Sequence, residues 1–150
     1  MNDRKGPAPA EGRLGVLLVG LGAVATTFIA GVEAVRRGSA RPIGSVTQMA
    51  HIRLGERSEG RQPLIRDFLP LSSLDDLVFG AWDPIPDDAY QSAKVAGVLQ
   101  SEHIEPYREF LESIKPMPAV FDPEYVKRLS GANVKTGANK YELGLQLRVD

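Results

Sequence analysis

The sequence predicts an α/β fold with a mostly parallel sheet. Three observations carry that class. An apolar run stops at a glycine, the periodicity turns helical a few residues later, and strand-like segments then alternate with helix-like ones to the end of the chain. At 150 residues the length suits one domain with a core of its own.

Leu14 to Val19 is uninterrupted apolar sequence, the pattern of a strand buried on both faces of a parallel sheet. From Ala23 the period changes. Val24, Phe28, Val32 and Val35 recur at helical spacing, with Thr26, Glu33 and Arg37 on the opposite side. Arg36 and Arg37 suit the negative end of that helix, and Gly38 suits the position just past it. Its first turn holds no Asp or Glu, which leaves a positive end and free backbone N–H groups for an anion.

Between strand and helix stands Gly20-Leu21-Gly22-Ala23-Val24-Ala25, which fits the G-x-G-x-x-G/A dinucleotide fingerprint. Gly20 permits the tight turn, Gly22 lets the backbone approach a pyrophosphate, and Ala25 is small enough for the helix to pack on the strand. A glycine turn without a ligand is the plainer alternative. The strand–turn–helix context favours a Rossmann-like dinucleotide-binding domain over 14–150, preceded by a polar, aperiodic leader over 1–13 that reads as disordered.

The remaining elements follow in order. Pro42 to Thr47 reads as a second strand, and 48–67 as a long loop or a small two-stranded excursion. Leu74 to Trp82 reads as a third strand with Leu77-Val78-Phe79 at its centre. Asp87 and Asp88 start a short helix that Gly97 ends. A longer helix places Ile104, Tyr107, Leu111 and Ile114 on one face, with Pro106 fitting only its first turn. Ala119 to Phe121 is a short strand, and Asp122 opens a helix over Tyr125 to Leu129. Tyr141 to Val149 is ambiguous, because its leucines alternate like a strand while Asn139 suits a helix cap. The chain stops at Asp150 without a turn signal, so it reads as truncated.

Composition narrows the function classes. A net charge of −1 gives no support for a nucleic-acid partner or an anionic membrane, and with no cysteine there is no disulfide, thiolate metal site or thiol nucleophile. Arg4, Lys5 and Arg13 ahead of the uncharged stretch Leu14 to Val32 raise a membrane-anchor reading, against which the glycine spacing and the helical face stand. His51 and His103 read as surface residues, and the arginines at 36, 37, 41, 53, 57, 61 and 66 as a solvated spread rather than an anion path. No metal-spaced cluster and no catalytic triad is visible. One expected part is missing: no Asp or Glu follows the second strand until Glu56. Either Arg53 reads a 2′-phosphate and the cofactor is NADP, or the ribose is held from another strand end, where Asp83 is placed.

GLGAVATTF, SLDDLVFGAWD and IKPMPAVFDPEYV, in that order and spacing, resemble the N-terminal part of the myo-inositol-1-phosphate synthase family over Leu14 to Asp150. The resemblance implies an NAD-dependent isomerase that cyclises D-glucose 6-phosphate to 1D-myo-inositol 3-phosphate, for inositol and phospholipid biosynthesis. It also implies a cytoplasmic homotetramer with no metal assigned. The cofactor turn carries over onto Gly20, Gly22, Ala23, Val24, Ala25 and Thr26. The family's ribose-contacting acid falls on Asp83, and an adenine-side position falls on Val120. The chain departs from the family at Ala23-Val24-Ala25, where many members are rich in Gly and Asn. It also departs at Gly80-Ala81-Trp82-Asp83, usually Gly-Gly-Trp-Asp, and at Lys127-Arg128-Leu129-Ser130. The family's catalytic residues lie in a C-terminal portion, so the resemblance assigns no catalytic residue here.

Overall fold

The apolar run Leu14–Val19 forms strand β1, and Ala23–Arg36 forms helix α1. The computed structural model describes residues 11–148, so most of the expected 1–13 leader lies outside the described residues, as do Val149 and Asp150. No strand directly follows α1. Pro42 to Ser45 is a turn closed by the bond from the Ser45 N–H to the Pro42 carbonyl (2.9 Å), and Val46–Met49 is a single helical turn, α2. The expected second strand over Pro42 to Thr47 is therefore absent. Pro42 and Gly44 suit a turn better than a ladder, and the β-branched Ile43, Val46 and Thr47 do not outweigh them.

The excursion that follows is two-stranded in outline. His51 pairs antiparallel with Leu64, and the Ile52 and Leu54 N–H groups donate to the Pro63 and Arg61 carbonyls at 3.0 Å each. The helical turn Ile65–Phe68, α3, ends it. Strand β2, Leu77–Asp83, then pairs with β1 in parallel, Leu14 opposite Leu77 and Val19 opposite Trp82.

Helix α4, Ala89–Ala96, is capped by the Asp88 carboxylate accepting from the Gln91 N–H (2.9 Å), and it ends at Gly97 with φ +65°. Replacing Asp88 by alanine is expected to cost about 1 kcal/mol, read as a lower midpoint in chemical denaturation. An unchanged midpoint would show that the cap contributes nothing. The expected long helix is interrupted: α5 (Ser101–Ile104), a 3₁₀ turn Glu105–Tyr107, then α6 (Arg108–Ser113). Pro106 sits in the 3₁₀ turn, where its missing N–H breaks the helical ladder. The expected apolar face survives the break, with Ile104, Tyr107, Leu111 and Ile114 all buried.

Strand β3, Met117–Val120, pairs in parallel with β2, and β4, Val134–Lys135, pairs in parallel with β3. Between them Asp122 starts a turn, accepting the Val126 N–H at 2.9 Å on its carbonyl, but no helix continues from it. Tyr125 is 89% exposed and Leu129 43%, so the segment has no buried face to hold a helix. The ambiguous final segment is a helix, α7, Lys140–Leu147, whose cap Asn139 Oδ1 accepts from the Tyr141 and Glu142 N–H groups (3.0 and 3.1 Å).

The sheet order is β1-β2-β3-β4, so the connections advance in one direction. Parallel crossovers are right-handed, which puts the crossing helices of such a sheet on one face. Accordingly, a single buried cluster joins Leu21, Ala25, Ile29 and Ala30 of the first turn and α1 to Ala81 of β2, Ala89 and Ala93 of α4, and Ile104 and Leu111 further on. Burying each of the larger side chains contributes roughly 1.5–3 kcal/mol.

Two expectations are corrected by this arrangement. First, β1 is covered on one side only: Leu17 and Val19 are 59% and 93% exposed, because the crossing helices lie on the other face. Second, α1 packs through Ala25, Thr26, Ile29, Ala30, Val32 and Glu33, so of the expected stripe Val32 is buried (7% exposed) whereas Val24 (85%) and Phe28 (42%) lie outside that face. The stripe as a whole suggested a different rotation. The closeness of α1 to the core selects its small side chains instead. Glu33 is tolerated there because the Arg37 guanidinium donates to it at 2.7 Å and Arg36 lies 3.5 Å away.

Candidate functional site

In an open parallel sheet, ligands bind beyond the carboxyl ends of the strands. Here Gly20, Asp83 and Val120 lie at the carboxyl ends of β1, β2 and β3. Gly20 has φ +98°, a left-handed conformation that a side chain would strain, and its N–H donates to the Trp82 carbonyl (2.8 Å). The next amide, Leu21 N–H, donates to Asp83 Oδ2 at 2.7 Å. Asp83 Oδ1 accepts from the Ile85 N–H at 2.8 Å. The last two residues of β2 therefore hold the first two of the glycine turn.

Gly22 is the N-cap of α1 and brings no side-chain cap. The first i→i−4 bond runs from the Thr26 N–H to the Gly22 carbonyl (3.0 Å), so the N–H groups of Ala23, Val24 and Ala25 precede the helical ladder. No acidic residue stands in this first turn. A Cβ built on Gly22 would find no atom within 4 Å. The backbone is bare where a phosphate would approach, and a cleft of about 430 Å³ opens beside it, lined by Val19, Gly20, Gly22, Ala23, Val24 and Phe28 among others. Bare amides at a positive helix end fit a pyrophosphate group.

The residues expected at the site divide by position. Gly20, Gly22, Ala23, Val24 and Ala25 line the cleft together. Thr26 does not, being 1% exposed with its hydroxyl donating to the Gly22 carbonyl at 3.0 Å. Asp83 sits behind the turn with both carboxylate oxygens on backbone amides. Val120 is half-buried in β3, paired with Lys135. Arg53 is exposed in the excursion after α2, and with no second strand there is no strand end from which it, or an acid, would reach a ribose. Four of the other arginines have partners away from the glycine turn. Arg36 donates to the Leu74 and Leu77 carbonyls, Arg37 to Glu33 and the Pro106 carbonyl, and Arg61 and Arg66 lie beside Glu59 and Asp67.

Two residues of the site go unsignalled in the sequence. Asn133 Nδ2 donates to the Asp83 carbonyl (2.9 Å), and its backbone N–H donates to the Pro84 carbonyl (2.9 Å). Gly131 lies so close that a Cβ would stand 2.0 Å from the Pro84 oxygen. Both act across about 50 residues of chain, and only the Gly- and Asn-rich composition after Ser130 could have hinted at close packing. Among the described residues no helix is long and apolar enough to cross a membrane, and no three His, Asp or Glu side chains gather as a metal site.

Comparison with known proteins agrees with this geometry. Residues 14–150 match the NAD-binding model of a family described as myo-inositol-1-phosphate synthase. An inositol-3-phosphate synthase 1 of Bacteroides thetaiotaomicron is 50% identical over 143 residues, covering 95% of this chain and 33% of that protein. Inositol-3-phosphate synthase isozyme 1 of Arabidopsis thaliana is 35% identical over 136 residues, covering 80% and 26%. The crystal structure of inositol-3-phosphate synthase from Caenorhabditis elegans superposes with a TM-score of 0.74 at 29% identity, over 93% of this chain and 31% of that one. The chain thus spans about a third, or less, of the length of these relatives.

Proposed function

The chain belongs to the myo-inositol-1-phosphate synthase family, and from that premise we propose that it is the N-terminal, NAD-binding part of a synthase converting D-glucose 6-phosphate to 1D-myo-inositol 3-phosphate. The observation that carries this reading is the bare glycine turn at the carboxyl edge of the sheet, lying inside the family match. A bound NAD would supply a reversible hydride acceptor for C5 of the substrate, so that the overall change would be an isomerisation. What these residues contribute is binding. The Ala23, Val24 and Ala25 amides hold the cofactor phosphates at the positive end of α1, and Gly22 gives them their close approach. Val24 and Phe28 give that cleft an apolar wall.

The missing second-strand acid no longer argues for NADP. The strand on which that expectation stood is not formed, and the family's matched model is an NAD-binding one. No catalytic residue is assigned within the chain. A cytoplasmic location and a homotetramer belong to the same proposal, and subcellular fractionation and sedimentation of the full-length protein check them.

Full-length protein incubated with NAD and glucose 6-phosphate is expected to accumulate inositol phosphate, detected by phosphorus NMR, with no net build-up of NADH. NADP should bind at least about tenfold more weakly. Tight NAD binding with no product would point instead to a cofactor-sensing module.

A further inference from the structure

We propose that Asn133 is a positioning residue, which sets the carboxyl end of β2 and so aims the Asp83 carboxylate at the adenosine ribose of the cofactor. This rests on the cofactor reading above and on Asp83 as the ribose-contacting acid that the family resemblance implies. The carboxylate has room for that contact. Oδ2 accepts the Leu21 N–H and Oδ1 the Ile85 N–H, and each oxygen keeps a second lone pair for a hydroxyl. Where those lone pairs point depends on the main chain of Asp83 and Pro84. The strands hold that stretch by little. The β2–β3 ladder is two residue pairs long, Trp82 opposite Met117 and Asp83 opposite Pro118. Pro118 has no N–H to give, and the Ala119 N–H donates to the Asn133 carbonyl at 2.9 Å.

Asn133 supplies the missing donors from 50 residues along the chain. Its Nδ2 donates to the Asp83 carbonyl at 2.9 Å and to the Pro116 carbonyl at 3.4 Å. One carboxamide NH₂, with two hydrogens to give, thus ties the end of β2 to the residue just before β3. The Asn133 backbone N–H donates to the Pro84 carbonyl at 2.9 Å. That carbonyl and the Ile85 N–H belong to a single planar peptide unit. The unit that Asn133 grips on one side therefore holds Asp83 Oδ1 on the other, at 2.8 Å. Gly131 keeps the same segment close, since a Cβ there would stand 2.0 Å from the Pro84 oxygen. The peptide planes on both sides of Pro84 are fixed before any ligand arrives, and an acceptor aimed in advance loses less freedom on binding. Alanine at 133 would leave the Asp83 carbonyl without this donor.

The test compares NAD with an NAD analogue lacking both hydroxyls of the adenosine ribose, titrated calorimetrically into full-length wild-type, Asn133→Ala and Asn133→Ser proteins. Wild type is expected to bind NAD about tenfold more tightly than the dideoxy analogue. Asn133→Ala should weaken NAD by most of that factor and the analogue by less than about twofold, so the preference for NAD collapses. Asn133→Ser, whose hydroxyl is too short to reach the Asp83 carbonyl, should act the same way and carries the comparison should Asn133→Ala fail to fold. A purely structural role would not single out the ribose. Equal weakening of both ligands, or unchanged affinity for both, therefore overturns the proposal. A wild-type protein that binds the two ligands equally removes the ribose grip of Asp83, and one that binds neither removes the cofactor reading. Each of these overturns the proposal at its premise, and the wild-type titrations alone tell them apart from a failure at Asn133.

Discussion

Gly22→Val is expected to weaken NAD binding by about 100-fold, roughly 2.7 kcal/mol, while leaving the fold nearly intact. The two effects separate because the fold makes no steric demand for glycine here. Gly22 has φ −91° and ψ −156°, an extended conformation outside the left-handed region that favours glycine, and a Cβ at this point meets no atom within 4 Å beyond its chain neighbours. Valine loses some N-cap preference, about 1 kcal/mol, worth a melting shift of no more than about 2–4 °C. The space its methyl groups fill is the approach to the Ala23, Val24 and Ala25 amides. Calorimetric titration and a thermal melt of the same full-length variant measure both numbers. Wild-type affinity in the variant would mean that the cofactor phosphates lie elsewhere.

Gly131→Ala is expected to act on the fold first, destabilising it by about 3 kcal/mol through a contact with Pro84. An added Cβ would stand 2.0, 2.5 and 2.8 Å from the oxygen, carbonyl carbon and Cβ of Pro84. These atoms belong to backbone and a proline ring, so no flexible side-chain tip can yield. Either Gly131 withdraws, pulling the Asn133 amides off the Asp83 and Pro84 carbonyls, or Pro84 shifts and moves the end of β2 with it. A urea denaturation curve measures the loss, and an unchanged midpoint would show that this approach is looser than the geometry requires. Because the strain falls on the residue after Asp83, cofactor affinity should fall in the same variant.

What the sequence made legible was local. The β1 run, the glycine turn and α1 are contiguous, and each is specified by neighbours within a few residues. The same holds for the Asp88 cap and the Gly97 stop. The errors arose where partners lie far along the chain. Pro42 to Thr47 has strand-like residues but no ladder to join, and turn formation prevailed. Val134–Lys135 forms a strand only because β3 offers it an edge. The rotation of α1 is not legible locally, because Val24 and Phe28 look like core in isolation, whereas the packing distance admits alanines. At the site, the cleft-lining residues from Gly20 to Ala25 were found by their spacing. The grip of Asp83 on Leu21 and the part of Asn133 were not, since a side chain's choice of a distant amide leaves no periodic trace.

The placement of that grip has a kinetic side. Leu21 and Asp83 are 62 residues apart, and all the named strands pair in parallel, so a long loop must close before the first rung rewards it. Helix α1 can begin to form on its own, but Gly20 and Leu21 have nothing to hold them until β2 arrives. The phosphate-binding turn is therefore expected to acquire its shape only once β2 has docked on β1. NAD, which needs that shape, has little to bind in the folding transition state. Its stabilising effect should appear as slower unfolding, with the refolding rate left almost unchanged.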